Sequence, residues 1–454
     1  MSFLDEEYLL GTDAARELYD AIADLPIVDP HSHLDVAELA DNERWSDVWA
    51  VEGATDHYVW AAMRKRGVPE ARITGDASNR EKWDALARVM PEIAGNPTYE
   101  WIHLDLRRRF GIDTPVSAET ADEIWTETRR RLREGDTRPR AMLREMDVET
   151  VCSTDDPAGS LADHRRLADD LDDVDVRPTW RADRAVHVDG PEWDEFVDAL
   201  AASTGVEIRD FADYRAALTA SHDRFAEHGC RASDTSLREP VTKPVSDERA
   251  AEVFAAARRG ESLTDAQVED FRAHVLSFVA GLDADRDWVT QLHVGPVRNY
   301  RDRLYEELGP AAGGTVTTGD VEYAENLRHL LNSYDGDAEF VLYCVDPTHY
   351  PSVTTIARAF PNVSVGPAWW YNDSPFGIDH QLDYAGSVDL LANHAGMVSD
   401  SRKLPSFGSR FELFRRTLAD LLGRYVERGR MPMDVARDLA EHVAYDRPKE
   451  LYGF

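Results

Sequence analysis

The chain has 454 residues, 43% of them hydrophobic, and 86 acidic against 51 basic side chains give it a formal net charge of −35. Such an acid excess argues against nucleic acid or an anionic membrane as partner, because both would be met against repulsion. No apolar run is long enough to span a bilayer, and the acidic start Met-Ser-Phe-Leu-Asp-Glu-Glu lacks the basic region of a secretory leader, so a soluble cytoplasmic protein is expected.

Only five of the 51 basic residues are lysine: Lys65, Lys82, Lys243, Lys403 and Lys449. Acid excess with scarce lysine is similar to the composition of proteins from salt-rich cytoplasms, where a Debye length of about 3 Å screens the self-repulsion of an acidic surface. The three cysteines, Cys152, Cys230 and Cys344, form no CxxC pair and read as buried thiols.

In chain order, residues 6–24 read as a helix and Ile27–His33 as a short buried strand with a polar end. A mostly helical region follows over 36–145, an expected insertion after the first strand. Beyond it, short apolar runs alternate with helical stretches: 148–154, 176–180, the weaker 228–234, then 289–294, 340–345, 363–368 and 396–399. A second, smaller insertion is expected over 205–285 within a single 1–454 catalytic domain. Strand–helix alternation implies an α/β fold with a parallel sheet, and eight units favour a barrel over an open sheet. The strand ends carry residues of catalytic type, where barrel enzymes build their active sites.

His31 and His33 lie two apart on a strand, so both imidazoles project from one face and can seat Zn2+ or Mn2+. Asp400, at the polar end of the last run, can complete a His2Asp set or take a proton; a helix N-cap is its plainer reading. His293, followed by Arg298 and Asn299, offers a neutral donor, a cation and an amide to a polyhydroxy acid. Arg181 can grip a carboxylate bidentately or be held in a salt bridge to Asp183 or Asp155. Tyr58 or His57 can act as a donor, although packing is the simpler role from spacing alone. Trp369 and Trp370 suit either a sugar face or a core.

These motifs taken together resemble the uronate isomerase family of the amidohydrolase superfamily. The N-terminal half carries IVDPHSHL, DHYVWAAMRKRGV, ITGDAS and GNPTYEWIHLDLRRRFGI; the C-terminal half carries QLHVGPVRN, VLYCVDP, GPAWWYND and GMVSDSR followed by FELFRR. The resemblance spans about residues 20–454. It implies a distorted (β/α)8 TIM barrel with helical insertions, one divalent metal, and interconversion of D-glucuronate with D-fructuronate and of D-galacturonate with D-tagaturonate. It implies His31, His33 and Asp400 as metal ligands, with Tyr58, Arg181, His293, Arg298, Trp369, Trp370 and Arg402 lining the substrate pocket. Asp400, Tyr58 and Arg402 are the expected catalytic groups, working on a small uronic acid through an enediol. A homo-oligomer is compatible with such a barrel. Thr235, in Ser233-Asp234-Thr235, stands where the family often has histidine.

Two other functions are weighed. A metal-dependent hydrolase could use the same HxH and Asp to activate water, but no binuclear Lys/His/His set is evident. A catalytically dead sugar-acid binder would not need His31, His33 and Asp400 all intact.

Overall fold

A computed structural model describes residues 3–454. Its strands are β1 (Ile27–Asp29), β2 (Val148–Cys152), β3 (Asp175–Arg177), β4 (Trp180–Arg181), β5 (Ala232–Leu237), β6 (Val289–Val294), β7 (Pro296–Val297), β8 (Val316–Thr317), β9 (Glu339–Cys344) and β10 (Val363–Val365). Two parallel sheets, ordered β1-β2-β3 and β10-β9-β6-β5-β4, form a distorted barrel-like α/β core. They meet at a parallel bridge between Asp155 and Trp180.

The run 396–399, expected as the eighth strand, forms no ladder. Gly396 and Asp400 both have positive φ, 85° and 47°, which turns the chain out of a regular strand. The segment still bridges the two sheets by single backbone bonds: Ala395 N donates to Val365 O, Asp400 N to His31 O, and His33 N to Ser401 O. The expected strand 289–294 is β6 as read, whereas others shift. The weak run 228–234 becomes β5 at 232–237, the run 176–180 splits into β3 and β4, and 27–33 shortens to β1. The antiparallel pair β7–β8 was not foreseen.

Strand alternation sorts side chains to two faces. In β9, Phe340, Leu342 and Cys344 pack outward on the helical layer, whereas Val341 and Tyr343, with Val345 just beyond, face inward. Leu451 and Tyr452 join that inward cluster, so the C-terminal turn plugs the barrel interior below the site. The stretch 36–145 folds as a run of helices between β1 and β2. The stretch 205–285 supplies strand β5, which lies between β6 and β4 in the sheet, with helices on either side of it in sequence.

One long helix organises the N-terminal half. Ser406–Glu427 buries Phe407, Phe411, Phe414, Leu418 and Leu421 at three- and four-residue spacing. It lies against the helix Asp13–Ile22 so closely that a Cβ at Gly423 would fall 2.6 Å from Ala15 N. No helix among the described residues is long and apolar enough to cross a membrane.

Candidate active site

The polar strand ends converge on one cavity of about 140 Å3. Its walls include His31 and His33 beyond β1, Arg181 on β4, Asp234 on β5, His293 on β6, and Trp369, Trp370, Asp400 and Arg402. Arg298 enters from the loop after β7, and His57 from the first turn of the helix His57–Lys65. Nine of the ten residues expected for the site therefore share one cavity. The tenth, Tyr58, stands beside His57 with ring centroids 4.5 Å apart, and its hydroxyl donates to Asp373 Oδ2 across 3.4 Å.

His31 Nε2 and His33 Nε2 lie 3.4 and 3.3 Å from the same oxygen, Asp400 Oδ1. The other Asp400 oxygen accepts the indole N–H of Trp369 across 3.0 Å, which fixes the carboxylate plane. Two imidazole nitrogens and a carboxylate oxygen within 4.8 Å of one another fit a borderline divalent cation, and the fit leaves room for further oxygen ligands. Burial works to lower the His31 pKa, but Asp234 and Asp400 outweigh it and raise it; burial alone dominates at His33 and pushes it down to about 4. Burial opposes ionisation of Asp400, yet the two histidines hold its carboxyl well below the usual range.

A second trio, His31, Asp234 and His293, adjoins the first. His293 Nδ1 donates to Asp234 Oδ1 across 2.6 Å, and Arg181 Nη1 lies 3.2 Å from Asp234 Oδ2. The ring of His293 stacks on Tyr343 with centroids 4.0 Å apart, and Tyr343 in turn donates to Gln291 Oε1. His293 Nε2 is buried with no hydrogen-bond partner. Because an ionised carboxylate only accepts, the proton sits on Nδ1 and Nε2 presents a lone pair. The neutral donor expected at His293 is thus an acceptor on its free nitrogen.

Arg181 takes the salt-bridge alternative, with Asp183 Oδ2 at 3.0 Å. Arg298 and Arg402, by contrast, have no carboxylate within 4.0 Å among the described residues. Arg298 donates to Ser236 Oγ across 2.8 Å and lies over the Trp370 ring at 5.5 Å. It is open to solvent at the mouth yet flanked by protein, and burial followed by the Arg181 charge lowers its pKa. The segment 311–315 roofs this corner: Arg64 donates to Ala312 O, Tyr371 OH to Thr315 O, and a Cβ at Gly313 would sit 3.3 Å from His57 O.

Thr235 does not face the cavity. Its neighbour Ser233 bonds Asp283 behind the sheet, while Asp234 and Ser236 bond His293 and Arg298 in front, so alternation places Thr235 behind. Sequence reasoning left Asp234 without a role and missed Asp373 and Arg410. Arg410 Nη1 donates to Asp373 Oδ2 across 2.7 Å, and its guanidinium lies 3.9 Å over Trp101. A run of buried polar residues in β5 was the available signal for Asp234.

A family model described as glucuronate isomerase matches residues 1–452. The uronate isomerase of Thermotoga petrophila is 51% identical over 450 residues, 99% of each chain. The crystal structure of uronate isomerase from Thermotoga maritima superposes with a TM-score of 0.98 at 50% identity over 100% of both chains. That of glucuronate isomerase from Caulobacter crescentus gives 0.96 at 26% identity, over 99% of this chain and 97% of the other.

Proposed function

From the premise that this chain belongs to the glucuronate isomerase family and is a uronate isomerase, we propose that it interconverts D-glucuronate with D-fructuronate, and D-galacturonate with D-tagaturonate, through a cis-enediol. The hydrolase alternative is not favoured by these relatives. The observation that carries the catalytic reading is the convergence of His31 and His33 on Asp400 in a cavity that two uncompensated guanidiniums also line.

His31, His33 and Asp400 are the proposed ligands of one divalent metal, Zn2+ or Mn2+. Bound there, the cation would act as a Lewis acid on sugar oxygens. Asp400 takes the proton from C2 and returns it to C1. Its Oδ2, held by Trp369, is the oxygen available for that transfer, since Oδ1 faces the histidines. His293 Nε2 accepts a hydrogen bond from a substrate hydroxyl. Arg402, which lines the cavity two residues beyond Asp400, steadies the developing enediolate oxygen with its positive charge. Tyr58 already donates its hydroxyl to Asp373, so its proton is committed outside the reacting atoms at rest.

Arg298 is the proposed seat of the C6 carboxylate. Arg181, neutralised by Asp183 and Asp234, instead stiffens the wall beside it. Anchoring C6 sets C1 and C2 in register with Asp400. Trp370 backs Arg298 and offers a face to the sugar.

The finer setting is also proposed from composition and motif. An HxH at the end of β1 and an Asp on the last segment support the amidohydrolase superfamily. The charge of −35 with five lysines supports a salt-adapted cytoplasm, probed below.

The test is ketose formation from both uronates in KCl, before and after chelation, with Mn2+ or Zn2+ added back. Ketose lost to the chelator and restored by metal is expected. Solvent deuterium should wash in at C1 of the ketose; complete retention of the substrate C2 hydrogen would mean a hydride shift and reject the enediol.

A further inference from the structure

Lys403 is fully buried three residues beyond Asp400. Its ammonium lies 2.6 Å from Glu52 Oε2, 2.9 Å from Asp105 Oδ2 and 4.0 Å from Asp56 Oδ2. All three carboxylates come from the helical region between β1 and β2. Glu52 ends the helix Val48–Glu52, Asp56 caps the helix His57–Lys65 through Tyr58 N and Val59 N, and Asp105 sits in the helix Pro97–Phe110. Asp105 also accepts from Ser406 and Ser409 at the start of the long helix.

We propose that Lys403 is a positioning residue: its clamp on Glu52, Asp56 and Asp105 holds Asp400 in its left-handed backbone conformation and sets Asp400 and Arg402 against the His57–Tyr58 wall. The proposal rests on the reading of Asp400 as ligand and base.

Three observations carry it. Asp400 has φ 47°, a conformation that persists at a non-glycine residue only where the surroundings fix it. On its N-terminal side the segment is pinned by Ser399 N to Asp29 Oδ1 and by Asp400 N to His31 O. On its C-terminal side it is tied by His33 N to Ser401 O, by Ser401 Oγ to Lys403 O, and through the Lys403 ammonium to Glu52. The choice of residue is the second observation. This chain uses arginine for nearly every cation, yet a lysine stands here. A compact ammonium fits between carboxylates on three helices, donating to Glu52 and pairing closely with Asp105 while Asp56 lies one step further out, whereas a planar guanidinium is a broad fork. Third, the cation is retained on burial: burial opposes the charge, but Asp105 and Glu52 outweigh it and raise the Lys403 pKa.

The test compares Lys403→Met, Lys403→Arg, Glu52→Gln and, as control, Asp400→Asn. The readouts are kcat and KM per folded enzyme, and the visible d–d spectrum of Co2+-loaded protein. Loss of the clamp should lower kcat about tenfold to a hundredfold, as with displaced supports of metal ligands, while KM stays within about twofold because the Arg298 corner is untouched. The cobalt spectrum should change, and Lys403→Arg should not restore it. If Lys403→Met fails to fold, as loss of one partner from a buried cluster allows, Glu52→Gln carries the same readouts with a smaller fall. Wild-type kcat and cobalt spectrum in a folded Lys403 or Glu52 variant overturn the clamp. So does a loss of activity that follows only the unfolded fraction. Full activity in Asp400→Asn would instead overturn the underlying assignment of Asp400, which keeps the two failures apart.

Discussion

His293 on β6 donates its Nδ1 proton to Asp234 on the adjacent β5 across 2.6 Å, and both side chains are buried. Burial holds the His293 pKa down against the pull of Asp234. Burial opposes the Asp234 charge, but Arg181, His293 and His31 outweigh it and keep the carboxylate ionised. The pair therefore fixes one tautomer, with the lone pair of Nε2 toward the cavity. Asp234→Asn can offer N–H to the ring and reverse that choice. Loss of such a supporting carboxylate is expected to cost about 10- to 100-fold in kcat/KM, with metal content unchanged. Steady-state kinetics with metal analysis on the same preparation decides it; wild-type kcat/KM would remove His293 from the mechanism.

Arg298 is the predicted grip on the sugar acid group. Arg298→Met should lower kcat/KM for D-glucuronate by roughly 10- to 100-fold, the worth of a charge-assisted hydrogen bond of about 1.5–3 kcal/mol. Arg181→Met should act differently, by leaving Asp234 short of a partner. The discriminating measurement uses a neutral aldose in place of the uronate. Its slow turnover should be the same in wild type and Arg298→Met, and an equal loss on both substrates would take the carboxylate away from Arg298.

Metal removal should also be visible without turnover. A ligand that binds only the folded state stabilises it by about 2.7 kcal/mol at a free concentration 100 times its Kd. Chelation should therefore lower the melting temperature, and added Zn2+ or Mn2+ should restore it. His31→Ala should melt at the same temperature with and without metal. A melt of that variant still raised by metal would place the cation elsewhere.

Much of this site was legible because strands end where apolar runs meet polar residues. Ile27-Val28-Asp29 followed by His31 and His33 needs only period-two alternation to present two imidazoles together. The rest depended on pairings that no local pattern encodes. Lys403 meets Glu52 and Asp105 across hundreds of residues, and Arg410 meets Asp373 from the far side of the last segment. β5 was misplaced because Ala-Ser-Asp-Thr-Ser-Leu has too few apolar residues to announce a buried strand; its Ser233 is bonded to Asp283 behind, and its Asp234 and Ser236 to His293 and Arg298 in front. The last segment escaped the strand pattern because its turn at Asp400, not a ladder, aims the carboxylate.

Asp155, at the junction of the two sheets, gives a pH prediction. Burial pushes its carboxyl up to about 6, against the hydrogen bond from Ser153 Oγ at 2.7 Å. A raised carboxyl pKa means the folded state holds the proton more tightly than the unfolded chain. Its contribution to stability is fully present below about pH 4 and is lost as pH rises through about 6. A carboxyl moved from its ordinary value to about 6 corresponds to roughly 3 kcal/mol at most. Asp155→Asn mimics the protonated form, so its unfolding free energy relative to wild type should grow between pH 4 and 7. Denaturant melts across that range measure the gap; a constant difference would mean the Asp155 carboxyl titrates alike folded and unfolded.

Salt should stabilise the fold. The charge of −35 makes repulsion the dominant long-range force on this surface, while exposed pairs such as Arg130 with Glu127 and Glu134 oppose it locally. Screening weakens both. The outcome turns on size: an exposed pair is worth about 0–1 kcal/mol, whereas repulsion accumulates over every uncompensated acid. Moving from about 0.1 M to about 1 M salt shortens the Debye length from about 10 Å to about 3 Å. The melting temperature is therefore expected to climb steeply with KCl, most of the rise falling below about 1 M, where screening changes fastest. Sucrose serves as the control, since it favours burial by exclusion without screening. A steep response to KCl with a shallow one to sucrose identifies charge repulsion as the cause. Equal responses would assign the effect to general exclusion, and a melt indifferent to KCl would remove the case for a salt-adapted protein.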